Sequence, residues 1–148
     1  MGTLVSINVS EEKGTKKVPV ARARLGAEGI EGDAHAGAWH RMVSLLAEES
    51  VDKMRAAGLD VGPGAFAENL TTRGLDLLAL PLGTRLRVGA DAVLELTQHG
   101  KECHSRCAIY YQAGDCVMPR EGVFARVQTG GEIHTGDEIV VEERKLEG

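Results

Sequence analysis

Two thiols, a histidine and two cations fall within the short stretch Lys101-Glu102-Cys103-His104-Ser105-Arg106-Cys107, the densest run of reactive side chains in the sequence. A cysteine attacks, binds metal or carries sulfur as its thiolate, and neighbouring Lys or Arg charge favours that form over a thiol of pKa about 8.5. Lys101 and Arg106 flank Cys103 in this sense, with His99 and His104 near it in sequence. Cys107 lies one helical turn further on. In a helix its Cα would stand about 6 Å from that of Cys103, inside disulfide range. It can therefore resolve a persulfide on Cys103, or pack as a small hydrophobe beside Ile109. Cys116 precedes Val117-Met118 and reads as core. The rival chemistry is zinc, with Cys103, Cys107 and Cys116 joined by His99 or His104 as a four-ligand set, although the long gap to Cys116 is not a diagnostic spacing.

A second group of candidates sits earlier in the chain. Residues 26 to 37 hold four glycines with Asp33 and His35 among them, and His40-Arg41 follows directly. Glycine lets backbone approach a ligand, and an Arg fork matches phosphate bidentately, so His35, His40 and Arg41 can hold an anionic group. The same stretch can equally be a plain surface connection. Glu68-Asn69 is the one strongly polar pair in an otherwise apolar segment; it can meet a ligand or cap its own turn. Arg126 lies in a predicted strand and faces either a pocket or solvent.

The elements that must position these residues are mostly strands. Leu4 to Val9 alternates between apolar and polar, Val18 to Leu25 alternates again with Pro19 near its start, and Met42 to Leu46 reads as a short buried strand. The spacing predicts a helix over Ala47 to Ala57, with Val51 and Met54 on one face, Glu49 and Lys53 as an i,i+4 pair and Gly58 to close it. Phe66 to Thr72 is ambiguous between strand and loop. Residues 83 to 89 and 92 to 97 form a predicted hairpin about Gly89-Ala90-Asp91, whose second strand leads to the thiol cluster. Ala108 to Gly114 reads as a helical turn. Residues 122 to 127 and 138 to 142 are the last strands, separated by a glycine-rich turn region from Gly130 to Asp137. Six to eight short strands with at most two short helices imply an all-β barrel or sandwich, and periodicity does not choose between them.

Composition sets the outer limits. The sequence has 148 residues, 43% hydrophobic and 26% charged, with one Trp, two Tyr and two Phe, so one domain over residues 1–148 can bury an aliphatic core without help from metal or disulfide. The net charge of −5 argues against the basic face that nucleic acid requires. No apolar run nears eighteen residues and residues 1 to 10 carry no basic leader, so neither a membrane span nor a targeting signal is expected. A cytoplasmic, reducing location follows as the expectation, in which three cysteines serve metal, redox or sulfur chemistry rather than a disulfide scaffold.

Four patches, in order, resemble the MOSC domain family, named for the C-terminal domain of molybdenum-cofactor sulfurases. They are Gly32-Asp33-Ala34-His35-Ala36-Gly37 running into His40-Arg41-Met42-Val43-Ser44-Leu45; Pro63 to Thr71 with Glu68-Asn69-Leu70-Thr71; Thr97-Gln98 through Cys103; and Gly122-Val123-Phe124-Ala125-Arg126-Val127 through Gly136-Asp137-Glu138-Ile139. Ala67 stands where the family usually has Gly, Met42 where Gln is common, and Glu102 where Pro often precedes the cysteine.

The resemblance implies a mainly β, MOSC-type barrel with one or two short helices. It further implies that Cys103 corresponds to the family cysteine, which carries sulfur as a persulfide or meets molybdenum. The implied cofactor is the molybdenum cofactor, whose molybdopterin phosphate suits His35, His40 and Arg41, with Glu68 and Asn69 on the pterin edge and Lys101 and Arg126 completing the set. No pyridoxal phosphate is expected in this chain, so the implied partners are a cysteine desulfurase or other sulfur donor and a molybdoenzyme acceptor. The alternatives it leaves are a cofactor carrier without chemistry at sulfur and a molybdenum-dependent reductase of N-hydroxylated compounds.

Overall fold

The computed structural model describes residues 2–10, 18–27, 29–31, 33, 43–56, 58, 68–99 and 122–142. In chain order its elements are β1 (Gly2–Val9), β2 (Val18–Val20), β3 (Arg22–Gly26), β4 (Gly29–Ile30), β5 (Val43–Ala47), α1 (Glu48–Ala56), β6 (Leu70–Arg73), a 3-10 turn (Leu77–Ala79), β7 (Arg85–Val88), β8 (Ala92–His99), β9 (Val123–Thr129), β10 (Gly131–His134) and β11 (Glu138–Glu142). Among the described residues no helix is long and apolar enough to cross a membrane.

The strands pair in the order β11-β7-β8-β9-β5-β6-β1, and β1 returns to β11 through Gly2↔Ile139 and Thr3↔Glu138, closing a seven-stranded barrel. All contacts around it are antiparallel except β5 with β6, which is parallel because α1 carries the chain across between them. The alternation of the strands decides what fills the barrel. Ile7, Val43, Leu45, Leu70, Leu86, Val88, Leu94, Leu96, Val123, Ala125 and Ile139 all belong to one buried aliphatic cluster, so their neighbours in sequence point outward. A bulge in β1 between Leu4 and Ser6 resets that alternation, which is why Leu4 and Ile7 both face the core although three residues apart. Helix α1 lies over the outside of β5 and β6, and Leu46, Val51 and Met54 are buried there.

The barrel is the MOSC-type alternative of the two architectures that periodicity left open. The helix, the β7–β8 hairpin and the strands at 43–47, 123–129 and 138–142 fall where the sequence puts them. Gly89 turns that hairpin at φ +68°, and a Cβ there would lie 2.7 Å from Asp137 Oδ2. Three features differ. The predicted strand from Val18 to Leu25 divides at Ala21, whose carbonyl accepts the Thr135 amide. Its first half pairs with β1 and its second with β10 in a separate three-stranded sheet, β10-β3-β4. The turn region from Gly130 contains β10, and the glycine-rich stretch from Gly26 contains β4. The glycine at 130 answers to proximity rather than turning, since a Cβ there would come within 2.6 Å of the Leu25 carbonyl oxygen of β3. The predicted helical turn from Ala108 to Gly114 lies outside the described residues.

Candidate functional site

Five neighbouring segments of the wall meet in one mostly polar row, with Asn69 directly ahead of β6. The Asn8 amide donates to the Asn69 carbonyl at 2.6 Å, and the Asn69 amide donates to the Ser44 carbonyl at 3.0 Å. Ser44 lies opposite Phe124, and Phe124 opposite Gln98. The row therefore runs β1-β6-β5-β9-β8 through Asn8, Asn69, Ser44, Phe124 and Gln98. These positions alternate with core residues, so the row sits on the outward face of the barrel wall, yet Asn8 and Asn69 are fully buried and Ser44 and Phe124 are 2% exposed.

A polar group in such a place must find a partner. Asn69 Oδ1 accepts from the Ser44 backbone N–H at 2.9 Å and from the Ser44 hydroxyl at 3.2 Å, while Asn69 Nδ2 donates to the Asn8 carbonyl at 3.3 Å. The Ser44 oxygen in turn accepts the Asn69 N–H at 3.0 Å. One side chain thus ties the start of β6 to β1 on one side and to β5 on the other. A second run of bonds leaves the row along the same face. Ser6 Oγ donates to Asn8 Oδ1 at 2.7 Å, Asn8 Nδ2 donates to Thr71 Oγ1 at 3.0 Å, and Thr71 Oγ1 donates to Glu68 Oε2 at 2.8 Å. At the far end of β1, Asp33 is 7% exposed, and its Oδ1 accepts the Ser10 amide at 3.1 Å. On β8 the Thr97 hydroxyl donates to the Phe124 carbonyl at 3.1 Å.

Of the candidates named from sequence, Glu68 and Asn69 come together in this network, two buried polar residues directly ahead of β6. Asn69 has its amide engaged at Ser44 and Asn8, and Glu68 holds Thr71. Arg126 is on the same outward face of β9, two residues beyond Phe124, where its Nη2 meets Glu95 Oε1 at 2.7 Å with half of its side chain exposed. His99 ends β8, its Nε2 donating to the Leu80 carbonyl at 2.8 Å. His35, His40, Arg41, Lys101 and Cys103 lie outside the described residues, as do His104, Cys107 and Cys116. Their flanks are described, however. The stretch holding His40 and Arg41 enters β5 at Val43, and the stretch holding Lys101 and Cys103 leaves β8 at His99 opposite Val123 of β9.

Ser6, Asn8, Ser44 and Thr71 were not among the site candidates named from the sequence. Alternating strands normally send such residues to water, so they read as ordinary surface positions. Ser44 alone carried a signal, a hydroxyl inside the run Met42 to Leu46. A separate cleft of about 500 Å³ lies between α1 and the turn after β6, lined by Ala47, Ser50, Lys53, Leu75, Leu77 and Leu78, and shares no residue with the polar row.

Comparison with known proteins agrees with the barrel fold. No curated protein matches the sequence significantly. Among solved structures, the YuaD protein from Bacillus subtilis superimposes with a TM-score of 0.79 at 20% identity, covering 94% of each chain. YiiM from Geobacillus stearothermophilus gives 0.76 at 24% identity over 99% of this chain and 78% of its own. YiiM from Escherichia coli gives 0.71 at 21%, over 98% and 71%. These likenesses show a shared barrel. The MOSC domain profile matches residues 32–140, which take in the polar row from Ser44 to Phe124 and the whole thiol stretch. The chain therefore belongs to the MOSC domain family, a family associated with the molybdenum cofactor.

Proposed function

We propose that this domain binds the molybdenum cofactor and handles sulfur for a molybdoenzyme through Cys103. The observation that carries the reading is the polar row, which brings together Ser44, Asn69, Gln98 and Phe124. One of these residues lies in each of the four stretches in which the sequence resembles the family, including the one with Cys103. A cysteine beside Lys101 and Arg106 is favoured as thiolate. The Cys103 thiolate attacks the terminal sulfur of a donor persulfide, a sulfur–sulfur bond forms on Cys103, and the donor leaves as its thiol. When bound, the molybdenum supplies an electrophilic centre for that sulfur. His35, His40 and Arg41 hold the molybdopterin phosphate, Lys101 and Arg126 add positive charge, and Glu68 faces the pterin edge. Asn69 holds Glu68 in place through Ser44 and Asn8.

The test is mass spectrometry of the intact chain after incubation with a cysteine desulfurase and cysteine. The Cys103 peptide is expected to gain the mass of one sulfur atom, released by cyanide and absent in Cys103→Ser. A wild-type chain that gains none overturns sulfur handling. Cofactor retained after alkylation of Cys103, with no sulfur gained before it, would identify a carrier instead.

A further inference from the structure

Asn69 stands where the ladder between β1, β6 and β5 begins. The first residue of β6 to pair is Leu70, opposite Ile7 of β1 and Leu45 of β5. One residue earlier, Asn69 spans β1 and β5 by itself, with its N–H, its carbonyl and both ends of its side-chain amide engaged. Towards β5, its N–H donates to the Ser44 carbonyl at 3.0 Å and its Oδ1 accepts the Ser44 N–H at 2.9 Å. Towards β1, its carbonyl accepts the Asn8 N–H at 2.6 Å and its Nδ2 donates to the Asn8 carbonyl at 3.3 Å. A residue's backbone offers one donor and one acceptor. Here the two go to different neighbours, and the side-chain amide, with the same donor and acceptor as a peptide group, supplies the missing member on each side. Alanine lacks both members, and aspartate lacks the donor.

We propose that Asn69 is the positioning residue of the cofactor-holding half of the site, and that the thiol half is positioned without it. The inference rests on the functional reading given above. Asn69 is fully buried, so it acts through the strands and not by meeting the cofactor. The strand ends it ties lead to the cofactor candidates. Glu68 precedes it directly, and the stretch with His40 and Arg41 enters β5 at Val43, one residue ahead of Ser44. Without the amide, each neighbouring strand keeps a backbone bond to residue 69 but loses the second point of attachment. A pair then becomes a pivot, and the approach of the two cofactor-bearing stretches to each other is no longer fixed. The thiol stretch leaves the wall from β8, which has its own attachment. Gln98 and His99 pair with Phe124 and Val123 of β9, and the Thr97 hydroxyl donates to the Phe124 carbonyl at 3.1 Å. None of these bonds passes through Asn69.

The test reads both halves of the site in the same variants. Equilibrium dialysis against isolated molybdenum cofactor, with bound molybdenum counted by mass spectrometry, gives the affinity. The rate at which iodoacetamide alkylates Cys103, followed on its peptide in the cofactor-free chain, reports the thiol. Asn69→Asp keeps an acceptor for Ser44 and loses the donor for Asn8; it is expected to bind the cofactor about tenfold more weakly, with Cys103 alkylated at the wild-type rate. Asn69→Ala should weaken binding further. Ser44→Ala, which removes the hydroxyl that meets both the Asn69 N–H and Oδ1, should weaken it less, and it carries the comparison if circular dichroism shows the Asn69 variants unfolded. General loosening of the fold would change both readings together, and that result overturns the proposal. Wild-type affinity retained in the variants overturns it as well, while leaving the functional reading in place. A wild-type chain that binds no cofactor overturns the functional reading itself, and the inference with it.

Discussion

Two polar ladders cross this barrel on its outward face, and they are built on opposite principles. One runs Asn8-Asn69-Ser44 across β1, β6 and β5, neutral and buried. The other runs Arg126-Glu95-Arg85-Glu142 across β9, β8, β7 and β11, alternating in charge, half-exposed at Arg126 and more covered at Glu95 and Arg85. In the second, Arg126 meets Glu95 at 2.7 Å and Gln128 adds a bond to the same carboxylate at 3.2 Å, but Arg85 stands 3.8 Å away. Charges in high dielectric gain little from meeting, and each long side chain loses freedom when held. A buried amide has no water to fall back on, so each of its bonds is worth the penalty of leaving it unmade. The contrast implies that the neutral ladder fixes the site and the ionic ladder decorates the wall.

The sharpest way to break this contrast is Asn69→Ala. It removes the bonds that the Asn69 side chain makes to the Ser44 N–H, the Ser44 hydroxyl and the Asn8 carbonyl, and should cost about 3 kcal/mol in urea unfolding. A loss under about 1 kcal/mol would mean that the buried ladder is no better than a surface pair. Next comes Thr72→Val. Thr72 follows Thr71 on the inward side of β6, opposite Leu4 and Ala47, and its buried hydroxyl has no hydrogen-bond partner among the described residues. Removing an unsatisfied hydroxyl at constant shape should raise stability by about 1 kcal/mol, and a fall would show that the hydroxyl is satisfied in solution.

Smaller still is Arg126→Ala, with an expected change within about 0.5 kcal/mol that shrinks further in added salt. If Arg126 contacts the cofactor, the same variant lowers cofactor affinity while stability stays put, so the two readouts separate its roles.

The smallest effect belongs to the exposed cluster where Arg73 meets Glu48 at 2.7 Å and Asp52 at 2.8 Å. The hydrogen bond from Arg73, reinforced by its charge and by Arg55, holds the Asp52 carboxyl below its ordinary value, and the hydrogen bonds to Glu48 and then Asp52 raise Arg73. A carboxyl depressed on folding stabilises the fold above its unfolded pKa, and that contribution is lost as pH falls through the folded value. Stability should therefore decline slightly below about pH 4 from this source, and Asp52→Asn should flatten that decline in an acid titration followed by circular dichroism.

How much of this was legible beforehand depends on the range of the interaction. The helix over Glu48 to Ala56 and the β7–β8 hairpin are set by local spacing and turn chemistry, and the sequence reading found both. β10 and β4 escaped it because the glycines at 130, 26 and 29 looked like breakers, when Gly130 serves the close approach of β3. Glu68 and Asn69 stood out as a polar pair in apolar surroundings, but nothing local distinguished a ligand contact from the strand-to-strand tie that Asn69 makes. Ser6 and Asn8 alternate with core residues just as solvent-facing positions do.

The sequence by itself determined the strand periodicity, the aliphatic core, the reactive stretch around Cys103 and, through four ordered patches, the family. Only the tertiary structure decided that the outward face of β1, β6 and β5 is buried. The reason is that periodicity reports which side of a strand a residue takes, whereas burial depends on what the rest of the chain lays over that side.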